Sequence, residues 1–286
     1  MKVWLNGKLV DKRAAKVGVW DHGLLYGDGV FEGIRVYGGK VFHAQPHIDR
    51  LFDSAKVIRL AIPYTKQELT DAIYDTLHAN GGTDAYVRLA VTRGDGNLGL
   101  NPFQCPAPTV FIIVDKIELY PEEMYREGMA VIIAKTIRTA ATMLSPSVKS
   151  MNYLNNIMAK IEAIDAGVTE AVMLNDKGEV AECTGDNIFI VKAGTVITPP
   201  PQAGILIGIT RGVVIKLAEQ YRVPLREQAI RPEDLYAADE CFLTGTAAEV
   251  IPVTKIDGRA IGTGRPGPVS LKLFNAFRQY IASGNW

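Results

Sequence analysis

Val148-Lys149-Ser150-Met151-Asn152-Tyr153-Leu154-Asn155-Asn156 places a lysine just ahead of a strongly periodic stretch. From Leu154 the apolar residues recur at Ile157, Met158, Ile161 and Ile164, the spacing of a core-facing helical stripe, and Gly167 supplies a stop. Lys149 is therefore expected close to a helix N-terminus. The positive end of the helix dipole disfavours an ammonium there, and burial would do the same. Both effects favour the neutral amine that attacks a carbonyl. Most lysines are solvated, so Lys149 gains meaning only from the rest of the chain.

Upstream, Val3-Trp4-Leu5, Asn6-Gly7 and Lys8-Leu9-Val10 read as a hairpin, and a second hairpin is expected around Gly38-Gly39. A helix beginning near His47 carries Leu51, Ala55 and Ile58 on one face, and another runs from about Gln67 to Ala79. Strands follow over residues 85–92 and 108–114, giving an α+β unit. The polar, proline-containing residues 116–127 are expected to link residues 1–115 to a larger domain, residues 128–286. That second part is strand-rich, over residues 129–134, 171–174, 179–181, 188–191 and 196–198. A helix begins at Thr210 and another closes the chain from Val269 to about Ala282.

At 286 residues the chain can bury two ordinary cores. Its 31 basic and 31 acidic residues balance, so no overall field recruits nucleic acid or an anionic membrane; a small-molecule partner is expected. Cys105, Cys183 and Cys241 are scattered and odd in number, which argues against a disulfide framework or a cysteine-built metal site and fits a reducing cytoplasm. The N-terminus lacks a signal-peptide apolar core, and no apolar run reaches membrane-spanning length.

Gly94-Asp95-Gly96-Asn97-Leu98-Gly99 matches a dinucleotide-binding loop in letters only. Leu100-Asn101-Pro102 follows it, and the proline opposes the helix such a loop must open. Gly208-Ile209-Thr210-Arg211 does open a periodic helix, where free N–H groups and the Thr210 hydroxyl suit an anion; Thr210 could equally be an ordinary cap. Thr244-Gly245-Thr246-Ala247-Ala248-Glu249 is small and hydroxyl-rich enough for a second anion, or simply a tight turn. Arg50 could add charge-assisted bonds to a phosphate, or form a surface ion pair. Glu182 interrupts an apolar strand pattern, and a carboxylate buried there needs a cation: a protonated pyridine nitrogen or an arginine.

Taken in order, these strings resemble the class IV (fold-type IV) pyridoxal-phosphate-dependent aminotransferases, and within them the branched-chain amino acid aminotransferases. The resemblance spans nearly the whole chain: residues 21–35, 47–50, 149–153, 182–187, 208–211 and 245–249. It implies a small N-terminal α/β domain, a larger pseudo-barrel domain carrying the lysine, and pyridoxal 5′-phosphate held between them. Lys149 would bond the cofactor and shuttle the proton, Tyr153 would hold its O3′, and Glu182 its ring nitrogen. Arg50, Ile209, Thr210 and Thr246 would hold the phosphate.

The subfamily is carried by Phe31-Glu32-Gly33-Ile34-Arg35 and Tyr86-Val87-Arg88. The resemblance implies that Arg88 receives the distal carboxylate of glutamate and that Tyr86 helps hold the substrate. Tyr26, Phe31 and Leu100 would wall the leucine, isoleucine and valine side chains, and the turn at Ala247 would bind the α-carboxylate. It also implies ping-pong exchange with 2-oxoglutarate in a homodimer or larger homo-oligomer, with residues 98–100 reaching a neighbouring subunit's site. Cys183-Thr184 departs from the smaller pairs of many relatives and would narrow the wall beside the cofactor. D-amino acid aminotransferases, (R)-amine transaminases and aminodeoxychorismate lyases share this fold and remain alternatives, as do a non-catalytic cofactor carrier and a dinucleotide-binding oxidoreductase.

Overall fold

Alternation in the longest strand of the N-terminal part decides what its sheet can pack against. Val30, Ile34 and Val36 lie on one side of β3 (Gly29–Tyr37), all fully buried, and an apolar surface of that width needs helices to cover it. In the computed structural model, which describes residues 1–116 and 120–286, α2 (Ala44–Val57) and α3 (Lys66–Asn80) supply that cover. Ile48, Leu51 and Ala55 of α2, with Leu69, Ile73 and Leu77 of α3, share one core with Val30, Ile34, Val87, Leu89 and Ile112.

The sheet of this unit is six-stranded and antiparallel, in the order β2-β1-β6-β5-β3-β4. Its other strands are β1 (Lys2–Leu5), β2 (Lys8–Asp11), β4 (Lys40–Val41), β5 (Ala85–Thr92) and β6 (Thr109–Asp115); the short α1 (His22–Tyr26) precedes β3. Both expected hairpins form, with Asn6 at φ 47° and Gly7 at φ 88° in the first turn. The glycine loop at residues 94–99 leads into a single 3-10 turn, Pro102–Gln104, rather than a long helix, as the proline required.

The chain divides into two compact units: Met1–Ile117 with Val148–Asn152, and Glu118–Ser147 with Tyr153–Trp286. The lysine segment thus groups with the first unit. The family resemblance implies a place for it in the larger domain, residues 128–286. Of the linker expected over residues 116–127, residues 117–119 lie outside the described residues, and Glu122–Glu127 forms a short helix, α4.

The second unit is built on a mixed nine-stranded sheet. Its strands are β7 (Met129–Ile133), β8 (Glu170–Leu174), β9 (Val180–Cys183), β10 (Asn187–Lys192), β11 (Thr195–Thr198), β12 (Leu225–Glu227), β13 (Glu240–Gly245), β14 (Glu249–Ile256) and β15 (Arg259–Ala260). The order is β12-β11-β10-β13-β14-β7-β8-β9, with β15 beside β14; β7 runs parallel to both neighbours. Although β9 ends that order, three residues carry it into β10, with Cys183 N–H donating to the Asp186 carbonyl at 2.7 Å. The sheet therefore curls back as a half-barrel. Ile188, Ile190, Leu243, Ile251 and Val253 line its core. Helices α5 (Leu154–Asp165), α6 (Ile209–Gln220), α7 (Pro232–Tyr236) and α8 (Pro268–Ser283) complete the unit.

One expectation is reversed. The apolar stripe of α5 does not face the core: Leu154, Ile157, Met158, Ile161 and Ile164 are 43–69% exposed. The buried side is Asn156, Ala159 and Ala163, small enough for the helix to sit close on Ala171 and Met173 of β8. Periodicity identified the residues that share a face, but the alanines chose which face went inward.

Candidate active site

In the first unit, the side of β3 turned away from the helices carries Phe31, Gly33 and Arg35. Their partners in register on β5 are Ala90, Arg88 and Tyr86. Gly33 has a specific reason to be glycine. A Cβ there would fall 1.8 Å from the Tyr86 hydroxyl, so the bare backbone lets the tyrosine lie across it. The Arg88 guanidinium stacks 4.4 Å from the Phe31 ring centre and 5.8 Å from that of Tyr86.

Lys149 joins this patch through backbone as well as side chain. Residues 148–152 run beside β3, with Phe31 N–H donating to the Lys149 carbonyl at 3.1 Å and Met151 N–H to the Gly29 carbonyl at 2.9 Å. Lys149 N–H donates to Ser54 Oγ of α2 at 3.1 Å. Both polar backbone groups of the lysine are thus fixed, and its Nζ lies 4.7 Å from the Phe31 ring centre. The structure therefore brings Lys149, Phe31, Tyr86 and Arg88 together. Tyr26 is anchored on the 95–100 loop, its hydroxyl donating to the Leu98 carbonyl at 2.6 Å. Leu100 projects outward, 78% exposed, so it forms no enclosed wall within its own chain.

Arg50 is already engaged. Its Nε and Nη2 donate to the two oxygens of Glu32 at 2.7 and 2.8 Å, and His47 Nδ1 contacts Glu32 Oε2 at 2.7 Å. Burial alone would raise the Glu32 carboxyl, but the charge and hydrogen bonds of Arg50, helped by His47, outweigh it and hold the group at about 2. Burial lowers the His47 pKa, so the ring stays neutral and Nδ1 is the donor to the carboxylate. Its Nε2 is buried without a hydrogen-bond partner among the described residues.

The second unit contains the other group of expected residues. Glu182, in β9, is 5% exposed; it accepts from Arg138 Nε at 2.9 Å, Leu206 N–H at 2.9 Å and Asn187 Nδ2 at 3.2 Å. The cation expected for this carboxylate is thus present as Arg138, itself braced by Asn156 Oδ1 at 3.2 Å. These bonds keep Glu182 oriented as a potential acceptor for a protonated ring nitrogen. Tyr153 is the residue from which α5 starts. Cys183, the next residue after Glu182, alternates into the core and is buried there, so it narrows no wall of the site.

Gly208, not Thr210, is the cap residue of α6, and no side chain caps the helix. The N–H groups of Ile209 and Thr210 therefore head a 12-residue helix, where the dipole favours an anion. A Cβ on Gly208 would lie 2.1 Å from Asn187 Oδ1, so the helix start is pressed onto the residue that braces Glu182. Thr246 and Ala247 form the half-buried turn between β13 and β14. Before them, Thr244 Oγ1 is buried without a hydrogen-bond partner among the described residues, and a Cβ on Gly245 would meet Asp186 Oδ1 at 1.8 Å. Burial first, and the charge of Glu170 second, push the Asp186 carboxyl up to about 7.

Sequence reasoning missed Glu32, Ser54, Arg138, Asn187 and Asp186. Glu32 was detectable: it is the one charged residue among the alternate positions 30, 32, 34 and 36. Ser54 and Arg138 act on Lys149 and Glu182 from 95 and 44 positions away, where no local pattern points to them. Among the described residues, no group of three or more His, Cys, Asp or Glu side chains is arranged to hold a metal ion, and no helix is long and apolar enough to cross a membrane.

The first unit thus carries a lysine fixed beside β3, and the second a braced carboxylate and a helix N-terminus with no side-chain cap. The amino-transferase class IV model matches residues 29–256, and the chain belongs to that family. A branched-chain-amino-acid aminotransferase from Pseudomonas aeruginosa is 39% identical over 285 residues, covering 98% of this chain and 92% of that protein. The branched-chain aminotransferase of Thermoproteus uzoniensis with norvaline superposes with a TM-score of 0.93 at 41% identity, over 100% of this chain and 96% of that one. The branched-chain amino acid aminotransferase of Thermobaculum terrenum, in its pyridoxal-phosphate form, gives a TM-score of 0.89 at 30% identity, over 99% and 94% of the two chains. The resemblance drawn from the motifs is borne out.

Proposed function

We propose that this protein is a pyridoxal-phosphate-dependent branched-chain aminotransferase, exchanging the amino group of leucine, isoleucine or valine with 2-oxoglutarate in two alternating half-reactions. The observation that carries the reading is the Phe31 ring, which has the Lys149 amine at 4.7 Å and the Arg88 guanidinium at 4.4 Å. One small patch thus offers an apolar surface for a branched side chain, a cation for a distal carboxylate and a basic amine.

The residues fit the cofactor. Lys149 supplies the amine, Glu182 a carboxylate for the ring nitrogen, and α6 an uncapped N-terminus for the phosphate. The orphaned Thr244 hydroxyl and the bare Gly245 leave polar, open backbone at the turn carrying Thr246 and Ala247. When bound, pyridoxal phosphate supplies an electron sink that makes the substrate α-hydrogen acidic. Lys149 Nζ is the base that takes this proton from the α-carbon, with Ser54 and Phe31 fixing its backbone. Glu182 keeps a proton on the ring nitrogen, and Tyr153 orients the O3′ edge. Arg50, Ile209, Thr210 and Thr246 hold the phosphate, and Ala247 N–H the substrate carboxylate. Tyr86 and Arg88 admit glutamate, while Phe31 and Tyr26, with Leu100 from a neighbouring subunit, exclude water around the branched side chain.

The working unit in this reading is a cytoplasmic homodimer or larger homo-oligomer. Two sets of exposed apolar side chains support the assembly: the α5 stripe, and Trp20, Leu24, Leu98, Leu100 and Phe103, each 50–78% exposed. The two-domain division, with a small N-terminal and a larger C-terminal domain, belongs to the same reading.

Visible absorbance of the purified protein tests it, with L-leucine in one sample, D-alanine in another and no acceptor in either. Loss of the cofactor's long-wavelength band with L-leucine alone is the expected result. A response to D-alanine alone would transfer the site to a D-amino acid enzyme of the same fold, and a colourless protein would end the cofactor assignment.

A further inference from the structure

Glu32 is an expensive residue for its position. Its neighbours on the same side of β3 are Val30, Ile34 and Val36, and like them it is fully buried. Replacing a buried ion pair by aliphatic side chains is often neutral or stabilising, so core packing gives no reason for a carboxylate there. The carboxylate is nevertheless fully engaged: both oxygens receive Arg50, and one also receives His47.

The geometry of Arg50 supplies the reason. A guanidinium is a planar fork, and Glu32 takes the edge formed by Nε and Nη2. The plane is thereby fixed, with Nη1 on the edge turned away from Glu32. Arg50 itself is 14% exposed, whereas Glu32 and His47 are fully buried, so the fork spans from the core to accessible surface. His47, Arg50 and Ser54 occupy one face of α2 at i, i+3 and i+7, and Ser54 holds the Lys149 backbone. One helix face therefore carries both the arginine and the anchor of the lysine.

We propose that Glu32 is a positioning residue: its two-point clamp, steadied by His47, orients Arg50 so that the opposite edge of the guanidinium receives the cofactor's phosphate. The inference rests on the reading of Arg50 as a phosphate holder. Glu32 touches neither substrate nor cofactor and acts only through the arginine.

The test compares two ligands that differ only in the phosphate. Pyridoxal phosphate and pyridoxal are each titrated into the cofactor-stripped full chain, wild type and Glu32→Gln, and affinities are read by equilibrium dialysis. Losing a charge-assisted clamp should weaken pyridoxal phosphate about ten- to a hundredfold. Pyridoxal affinity should change little, so the preference for the phosphorylated ligand collapses. A general packing defect would weaken both ligands alike, and that outcome, or an unchanged preference, overturns the proposal. If Glu32→Gln does not fold, Arg50→Lys keeps the charge but loses the fork; the same collapse is expected, and a retained preference overturns the clamp. A wild-type protein that binds neither ligand would instead refute the cofactor assignment.

Discussion

At the scale of single residues, the proposed function makes specificity for two unlike substrates depend on Arg88 being both a charge and a flat surface. Stacked at 4.4 Å on Phe31, the guanidinium extends the apolar patch while leaving its edge donors for a carboxylate. Arg88→Gln keeps much of the reach but removes the charge. The half-reaction with L-glutamate should fall about ten- to a hundredfold, the worth of a charge-assisted hydrogen bond, whereas that with L-leucine should change much less. Single-turnover absorbance changes with each amino acid measure the two separately. A parallel loss for both would show that Arg88 supports the Phe31 surface and does not read the acidic side chain. Gly33 belongs to the same device, since the Tyr86 hydroxyl occupies the space its side chain would need.

At the scale of elements, α5 shows what periodicity can and cannot reveal. The spacing of Leu154, Ile157, Met158 and Ile161 correctly gave a helix, because only a 3.6-residue repeat puts them on one face. Which face is inward depends on what β8 presents, and Ala159 and Ala163 fit that surface where larger side chains would not. The hairpins at Asn6-Gly7 and Gly38-Gly39 were legible because their signals are local. The Arg138–Glu182 pair, 44 positions apart, and the hold of Ser54 on Lys149, 95 apart, have no local signal. An exposed stripe of this size on an otherwise ordinary helix is expected to be covered by another copy of the chain. Ile157→Asp with Ile161→Asp should therefore lower the assembled mass in sedimentation while leaving the helical circular dichroism intact. An unchanged mass would assign the stripe no part in assembly.

At the scale of the whole molecule, the two units bury charge with opposite consequences for pH. In the first, the His47 and Glu32 values are both depressed, so their contribution to stability is present above the unfolded values of 6.5 and 4.5. It is lost on acidification, first as the unfolded chain's histidine takes up a proton and then as carboxyls do. In the second unit Asp186 is raised from 3.8 to about 7 by burial and by Glu170. Its folded form prefers the neutral carboxyl, so its contribution is complete below about 4 and declines as pH rises toward 7. Tyr120 OH lies 3.4 Å from Asp186 Oδ2, and Lys160 lies 3.7 Å from Glu170, so a cation moderates the cluster without reversing the effect. Asp186→Asn removes the titrating group while keeping an acceptor for Tyr120. The variant's stability relative to wild type should rise between pH 4 and 7 by about 3 kcal/mol, and level off above that. Denaturant titrations at pH 4.5, 6 and 8 would measure it. A pH-independent difference would mean that Asp186 is ionised throughout, and the half-barrel would then hold a buried carboxylate at the turn beside Gly245 for its charge rather than for its proton.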